Sequence, residues 1–184
     1  EVAASGPEML FFPIFQPEGD FIIQQAGSVA GMSGITMMAA DGLLNSDFLA
    51  LAESENMYFS GPDTRYGDNA NQSTGELAAS VLADYEAEFG EVPAAPFWAH
   101  SYDAAVLLLD AIAHASYMDG DDLVIDRAGV REHLNSVSDY EGLIGTMTCD
   151  AFGDCGSQKI TVIQNTDITD YVASTENVVY EYAL

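Results

Sequence analysis

Apolar positions along the chain alternate between short continuous runs and stretches of helical period. Glu8 to Phe15, EMLFFPIF, is an apolar run of strand length, the kind that parallel sheets bury on both faces. Gln16-Pro17-Glu18 stops it, and Glu18 to Val29 reads as a short helix with Phe21, Ile22, Gln25 and Val29 on one side. Gly34 to Ala40, GITMMAA, predicts a second strand that ends at Asp41-Gly42, with Ser46 placed to cap a helix over Asp47 to Glu53. Asn56 to Ser60 predicts a third strand, closed by Gly61-Pro62. Asp63 to Ser73 is polar and turn-rich, a surface connection where a linker or hinge fits.

Beyond it, Thr74 to Phe89 carries Leu77, Ala78, Val81, Leu82, Tyr85 and Phe89 at helical spacing, with Gly90 as a C-terminal stop. Ala95 to Ala115 holds the longest apolar helical run. Tyr102, Ala105, Val106, Leu109, Ile112 and Ala113 share a stripe that Val106 to Leu109 widens to nearly the whole circumference, which predicts a helix buried on most sides. Pro96 opens such a helix, so Phe97 and Trp98 sit at its mouth, as core or as the wall of a site. Asp119 to Asp126 reads as an acidic loop, and Asp126 caps a helix running through Val137. Gly142 to Cys149 and Lys159 to Gln164 read as an antiparallel pair joined by the AFGD turn, with Val178 to Ala183 a last edge strand. Strands alternating with helices predict an α/β class, a Rossmann-like layered and mostly parallel sheet flanked by helices.

Composition narrows the partners. With 184 residues, 48% of them hydrophobic, the chain can bury a sizeable core in one large domain or two small ones. Its 30 acidic residues against 4 basic ones give a net charge of -26, which repels nucleic acid and anionic membrane surfaces. A solvated surface, suited to a salty medium, accounts for the acid. No apolar run has the length of a membrane span, so no membrane insertion is expected. The start at Glu1, without Met or a signal pattern, reads as processing or a cut from something longer. Cys149 and Cys155 are six apart around a Gly-Asp turn, a spacing that suits a local disulfide and hence an oxidising compartment. Two thiols without a Cys/His pair nearby do not complete a zinc site.

In open α/β sheets ligands gather beyond the carboxyl ends of the strands. Phe15 offers an aromatic surface there. Asp41 offers a carboxylate suited to an ammonium group, or else ordinary Asp-Gly turn chemistry. Enzymatic constellations are weak. No G-x-S-x-G, P-loop or G-x-G-x-x-G is present, and Gly27, Gly31 and Gly34 are too loosely placed to cradle phosphates, so neither an enzyme nor a cofactor is expected. His100, Ser101 and Asp103 have the residue types of a hydrolase triad, yet neighbours on one helix point apart. His114 and His133 fall on different predicted helices and read as partly exposed helix residues before a metal pair. DGDDLVID lacks the ligand spacing of a calcium loop, and no metal site is expected.

The order of the pieces carries a resemblance over nearly the whole chain: FFPIFQPEGD, ITMMAADGLLNSDFL, NMYFSGP, a helix ending YEAEFGEVPAAPFWAHSYDAAVLLLDAI, then YEGLIGTMTCDAFGDC and KITVIQN. It resembles the later half of a type I periplasmic binding protein, and within that group the branched-chain amino acid (Leu/Ile/Val) binding proteins of ABC transporters. The most specific parts are Tyr85 to Ala104 and Gly142 to Asp154. The resemblance implies two α/β lobes with a ligand held between them. It implies residues 1–61 in the second lobe, 62–156 as the returning part of the first, and 157–184 crossing back. Phe15 matches the family's aromatic residue over the ligand side chain, Asp41 the acid that takes the α-ammonium, and Phe97, with Trp98 beside it, an aromatic contact from the first lobe. Tyr102 and Asp103 match a Tyr-Asp pair read as structural.

The first half of the family's chain has no counterpart here, including the groups that hold the ligand carboxylate, and Asp stands where close relatives often have Glu. The expected function is an extracytoplasmic solute-binding component, periplasmic or extracellular, that captures a small amino acid and delivers it to ABC permease subunits. The alternative is a ligand-sensing domain of a receptor or regulator on the same fold. Incomplete lobes would expose sheet edges, which predicts weak ligand binding and self-association for this stretch alone.

Overall fold

The structure, a computed structural model, describes residues 1–157 and 159–182. Along the chain run β1 (Met9–Phe12), α1 (Glu18–Ala26), β2 (Thr36–Ala39), α2 (Ser46–Leu49), β3 (Tyr58–Pro62), α3 (Ala78–Phe89) and α4 (Trp98–His114). There follow β4 (Ser116–Asp119), β5 (Asp122–Ile125), α5 (Arg127–Asn135), β6 (Tyr140–Gly142), β7 (Gly145–Met147), β8 (Ile160–Gln164), α6 (Tyr171–Glu176) and β9 (Val178–Tyr182). The chain divides into two compact units. The first comprises Glu1–Arg65, Ala94–Pro96 and Lys159–Leu184, and the second Tyr66–Pro93 and Phe97–Gln158.

The first unit is built on a five-stranded sheet in the order β1-β2-β3-β8-β9. β1, β2 and β3 are parallel, and β8 and β9 are each antiparallel to their neighbours. The sheet is therefore mixed rather than mostly parallel. Lys159 to Gln164 does not return through the AFGD turn as a hairpin partner of Gly142 to Cys149. Gly145, at φ 112°, turns the chain earlier, so that β6 and β7 form their own hairpin. β8 pairs with β3 instead, from Pro62 opposite Ile160 to Tyr58 opposite Gln164. The last strand ends its described course at Tyr182; Ala183 lies outside the described residues.

Phe12, Ala39, Leu43, Phe48, Leu49 and Phe59 are at the centre of this unit's core, with the Phe48 and Phe59 rings edge to face at 5.8 Å. β1 is not buried on both faces as its composition predicts. It forms one edge of the sheet, and Met9 and Phe11 remain about half exposed. α2 is capped by Asn45, whose Oδ1 accepts from the Phe48 amide at 3.0 Å, and not by Ser46. Buried Asn165 ends β8 by donating Nδ2 to Ser54 Oγ (2.8 Å) and to the Leu49 carbonyl (3.0 Å), while its Oδ1 accepts from Ser174 Oγ (2.7 Å). Asp63 takes two bonds from the Arg65 guanidinium, which also reaches Glu181 at 2.6 Å. Partial burial pushes the Asp63 carboxyl up, but the Arg65 hydrogen bonds and the charges of Arg65 and Lys159 outweigh it and hold the group below its ordinary range.

The second unit packs helices against the short β6–β7 hairpin. Its core gathers Tyr66, Ala99, Leu107, Tyr140, Leu143 and Met147. α4 buries Ala99, Asp103, Leu107 and Ala111, one residue every four, and leaves Leu108 and Leu109 exposed. The expectation of a helix buried on most sides is thus corrected, because a single face of it meets the hairpin and α5. Asp103 lies in that face, 1% exposed, and accepts from Asn71 Nδ2 (2.9 Å) and from the amides of Leu143 and Ile144 (3.0 Å each). A side chain at Gly142 would put its Cβ 2.6 Å from Asp103 Oδ2, so the close approach requires glycine there. The acidic stretch expected as a loop is the β4–β5 hairpin, and Asp126 caps α5 through the Ala128 amide. Cys149 and Cys155 form a disulfide. No described helix is long and apolar enough to cross a membrane.

Candidate functional site

The parallel strands β1 and β2 run side by side, with Phe12 in register with Ala39, so the chain leaves both at the same edge of the first unit. From β1 it passes through Pro13 and Ile14 to Phe15, and from β2 through Ala40 to Asp41. Asp41 opens a short 3-10 turn, Asp41–Leu43, whose backbone closes through the Leu43 and Leu44 amides onto the Ala40 and Asp41 carbonyls. That leaves the Asp41 side chain exposed.

Phe15 is 71% exposed, yet its ring is not free of the fold. A Cβ at Gly42 would fall 2.8 Å from Phe15 Cδ1 and Cε1 and 3.0 Å from the Ile14 carbonyl oxygen. The ring therefore lies on the glycine that follows Asp41. At the end of β3, Gly61 has the Asp41 Cβ within 3.9 Å of where its own Cβ would be. Three strand ends thus converge on one lip with an exposed aromatic ring and an exposed carboxylate. Gly42 permits the close approach of Phe15, and Gly61 makes room for Leu44 beneath the turn, 2.6 Å from where its Cβ would be. Sequence reasoning picked out Phe15 and Asp41 separately. It missed Gly42 and Gly61, whose role depends on which side chains come near them.

In the second unit, Phe97 is the residue before α4 and is 40% exposed. Its ring meets His100 edge to face at 5.4 Å. Trp98 turns the other way and packs on the core, edge to face with Tyr66 at 5.3 Å. The neighbouring aromatics at the helix mouth thus divide into one exposed ring and one packed ring. His100 buries its Nδ1 without a hydrogen-bond partner, and that burial pushes its pKa down against the opposing pull of Asp103. Both Asp103 oxygens are engaged by Asn71 and the Leu143 and Ile144 amides, so His100, Ser101 and Asp103 form no relay. Among the described residues no group of three or more His, Cys, Asp or Glu could hold a metal ion.

No family model matches the chain, and no curated protein matches it significantly. Solved structures do match. The leucine binding protein LivK of Thermotoga maritima shares 24% identity at a TM-score of 0.64, over 89% of this chain and 43% of that one. The branched-chain amino acid transporter substrate binding protein LivJ of Streptococcus pneumoniae, solved with isoleucine, shares 19% at a TM-score of 0.61, over 96% and 44%. A solute binding protein of an ABC transporter from Rhodopseudomonas palustris, solved with 3,4-dihydroxybenzoic acid, shares 18% at 0.57, over 89% and 42%. The fold is that of the type I periplasmic binding proteins, the solute-binding proteins of ABC transporters, and those relatives are binding proteins rather than enzymes. The chain spans less than half the length of each of these structures.

Proposed function

We propose that the protein is an extracytoplasmic solute-binding component of an ABC importer that captures a small amino acid and delivers it to the permease. In this reading the Asp41 carboxylate accepts hydrogen bonds from the ligand's ammonium group and the Phe15 ring covers its side chain. Phe97 supplies an aromatic contact from the other lobe, and Trp98 anchors the turn that presents it. The first unit corresponds to the second lobe of such a protein and the second unit to the returning part of its first lobe. The observation that carries the proposal is the lip itself: an exposed ring seated on Gly42, one peptide from an exposed carboxylate, beyond the ends of adjacent parallel strands. A carboxylate and an apolar face side by side fit a zwitterion with an apolar side chain better than a neutral sugar or an anion.

Calorimetric titration of the natural-length protein tests it, with L-leucine, L-isoleucine and L-valine beside 4-methylpentanoate, which keeps the leucine skeleton but has no ammonium group. The amino acids should bind and the acid should not. Asp41→Ala should weaken L-leucine binding by about 2 to 5 kcal/mol, the cost of leaving a desolvated ammonium without its partner. Binding of L-leucine by Asp41→Ala as tight as by the parent would remove Asp41 from the site. Heat from 4-methylpentanoate or 3,4-dihydroxybenzoate, and none from amino acids, would replace the ligand class.

A further inference from the structure

α4 and α5 lie against each other, and each carries a histidine in its last turn, His114 and His133. The helix pairing brings the two imidazoles together with ring centroids 4.6 Å apart and planes inclined by 37°. Sequence separation hides this, since 18 residues, a hairpin among them, intervene. Neither ring nitrogen set takes part in a hydrogen bond among the described residues, and His114 is exposed. The rings border an open hollow of about 530 Å³ that Ser116, Tyr117, Asp126 and Glu132 also line.

We propose that His114 and His133 form a two-histidine site for a late first-row divalent ion, Cu(II) or Ni(II). A metal–nitrogen bond of about 2.0 Å, with roughly 1.1 Å more to the ring centre, places each centroid about 3.2 Å from a shared ion. Centroids 4.6 Å apart then subtend about 90° at that ion. That is near the cis angle of a tetragonal site, the geometry that suits Cu(II) and Ni(II), and these ions also bind nitrogen ligands more tightly than the earlier first-row divalent metals. The 37° inclination is compatible, because imidazoles turn about the metal–nitrogen bond and the His χ2 torsion is soft. Water fills the remaining positions, since no third side chain of the described residues completes the set. The charge of -26 raises the local concentration of cations around the whole molecule, and free imidazole nitrogens at this spot supply the selectivity that carboxylates lack.

The test is titration of the untagged chain with CuSO4 at pH 7.5, with glycine as a competing chelator, followed by calorimetry and by electron paramagnetic resonance. The parent should bind one Cu(II) with hyperfine structure from two equivalent nitrogens. His114→Gln and His133→Gln should each weaken that site at least tenfold and leave one such nitrogen. The double variant should bind no better than either single variant. Equal affinity and an unchanged nitrogen pattern in the single variants would overturn the proposal and assign the ion to the N-terminal amine or to acidic side chains. Circular dichroism of the apo variants separates loss of the site from loss of the fold. If a glutamine variant does not fold, diethyl pyrocarbonate modification of the parent replaces it: Cu(II) should protect both histidines, and absence of protection would overturn the assignment.

Discussion

The Phe15 ring rests on Gly42 so closely that no Cβ fits between them. The aromatic surface at the end of β1 is held in place by the residue that follows the carboxylate at the end of β2. The two candidate ligand contacts of this unit are therefore mechanically coupled. Gly42→Ala should push the ring outward, since its far side is open to solvent. We expect at least a tenfold loss of L-leucine affinity with a destabilisation of about 1 kcal/mol, because the new Cβ also meets the Ile14 carbonyl oxygen at 3.0 Å. Calorimetry and urea denaturation of the same variant check the pair, and an unchanged affinity would separate Phe15 from binding.

Asp103 bears a different load. Its carboxylate satisfies the amides of Leu143 and Ile144 and the Asn71 side chain in a dry environment. Asp103→Ala leaves those donors without a partner and should cost about 3 to 5 kcal/mol. Asp103→Asn keeps one acceptor oxygen but turns an NH2 toward at least one donor, and should cost less than the alanine change. Chemical denaturation monitored at Trp98, which packs on the same core, reads both.

The disulfide between Cys149 and Cys155 closes a short loop in the second unit. Chain-entropy reasoning gives such a loop a stabilisation of about 2 kcal/mol. The Cys149→Ser, Cys155→Ser double variant should lose up to that amount, read again through Trp98, with ligand contacts in the first unit untouched.

Acid should act through Asp63. Its carboxyl is held below the ordinary range, so the stabilisation is complete above the unfolded value of 3.8 and is lost as pH falls through the depressed folded value. Arg65 is exposed and Asp63 only partly buried, so solvent screening limits the pair to about 0.5 to 1 kcal/mol. Arg65→Gln should be less stable than the parent by that amount at pH 7, and the difference should shrink toward zero near pH 2. Denaturation midpoints across that interval check the sign.

Much of the first unit could be read from the chain because parallel βα segments advertise themselves: apolar runs for β2 and β3, polar turns beyond them, and a carboxylate where the turn begins. The same reading failed at β1, where composition says how a strand would be buried but not whether anything lies on its outer side. It failed again at β8. KITVIQN pairs with β3 by long-range register, while the nearer GLIGTM segment closes on itself through a positive-φ glycine. In α4 the apolar stripe was misplaced because Asp103, a charged residue, occupies the buried face and Leu109 does not. Phe15 and Asp41 were legible as types at strand ends. Their proximity was not, because it depends on the absence of a Cβ at Gly42.

The pairing of β8 with β3 also sets a schedule. Pro62 meets Ile160, and Thr161 Oγ1 reaches back across 100 residues to the Gly61 carbonyl. A ribosome adding roughly 5 to 20 residues per second makes β3 five to twenty seconds before its partner exists. The second unit is itself being made during that interval, while one flank of β3 stays open to any passing strand. The nascent chain therefore passes through a half-built sheet whose lifetime is fixed by translation speed, and synonymous codon choice between Arg65 and Ile160 becomes a lever on its yield.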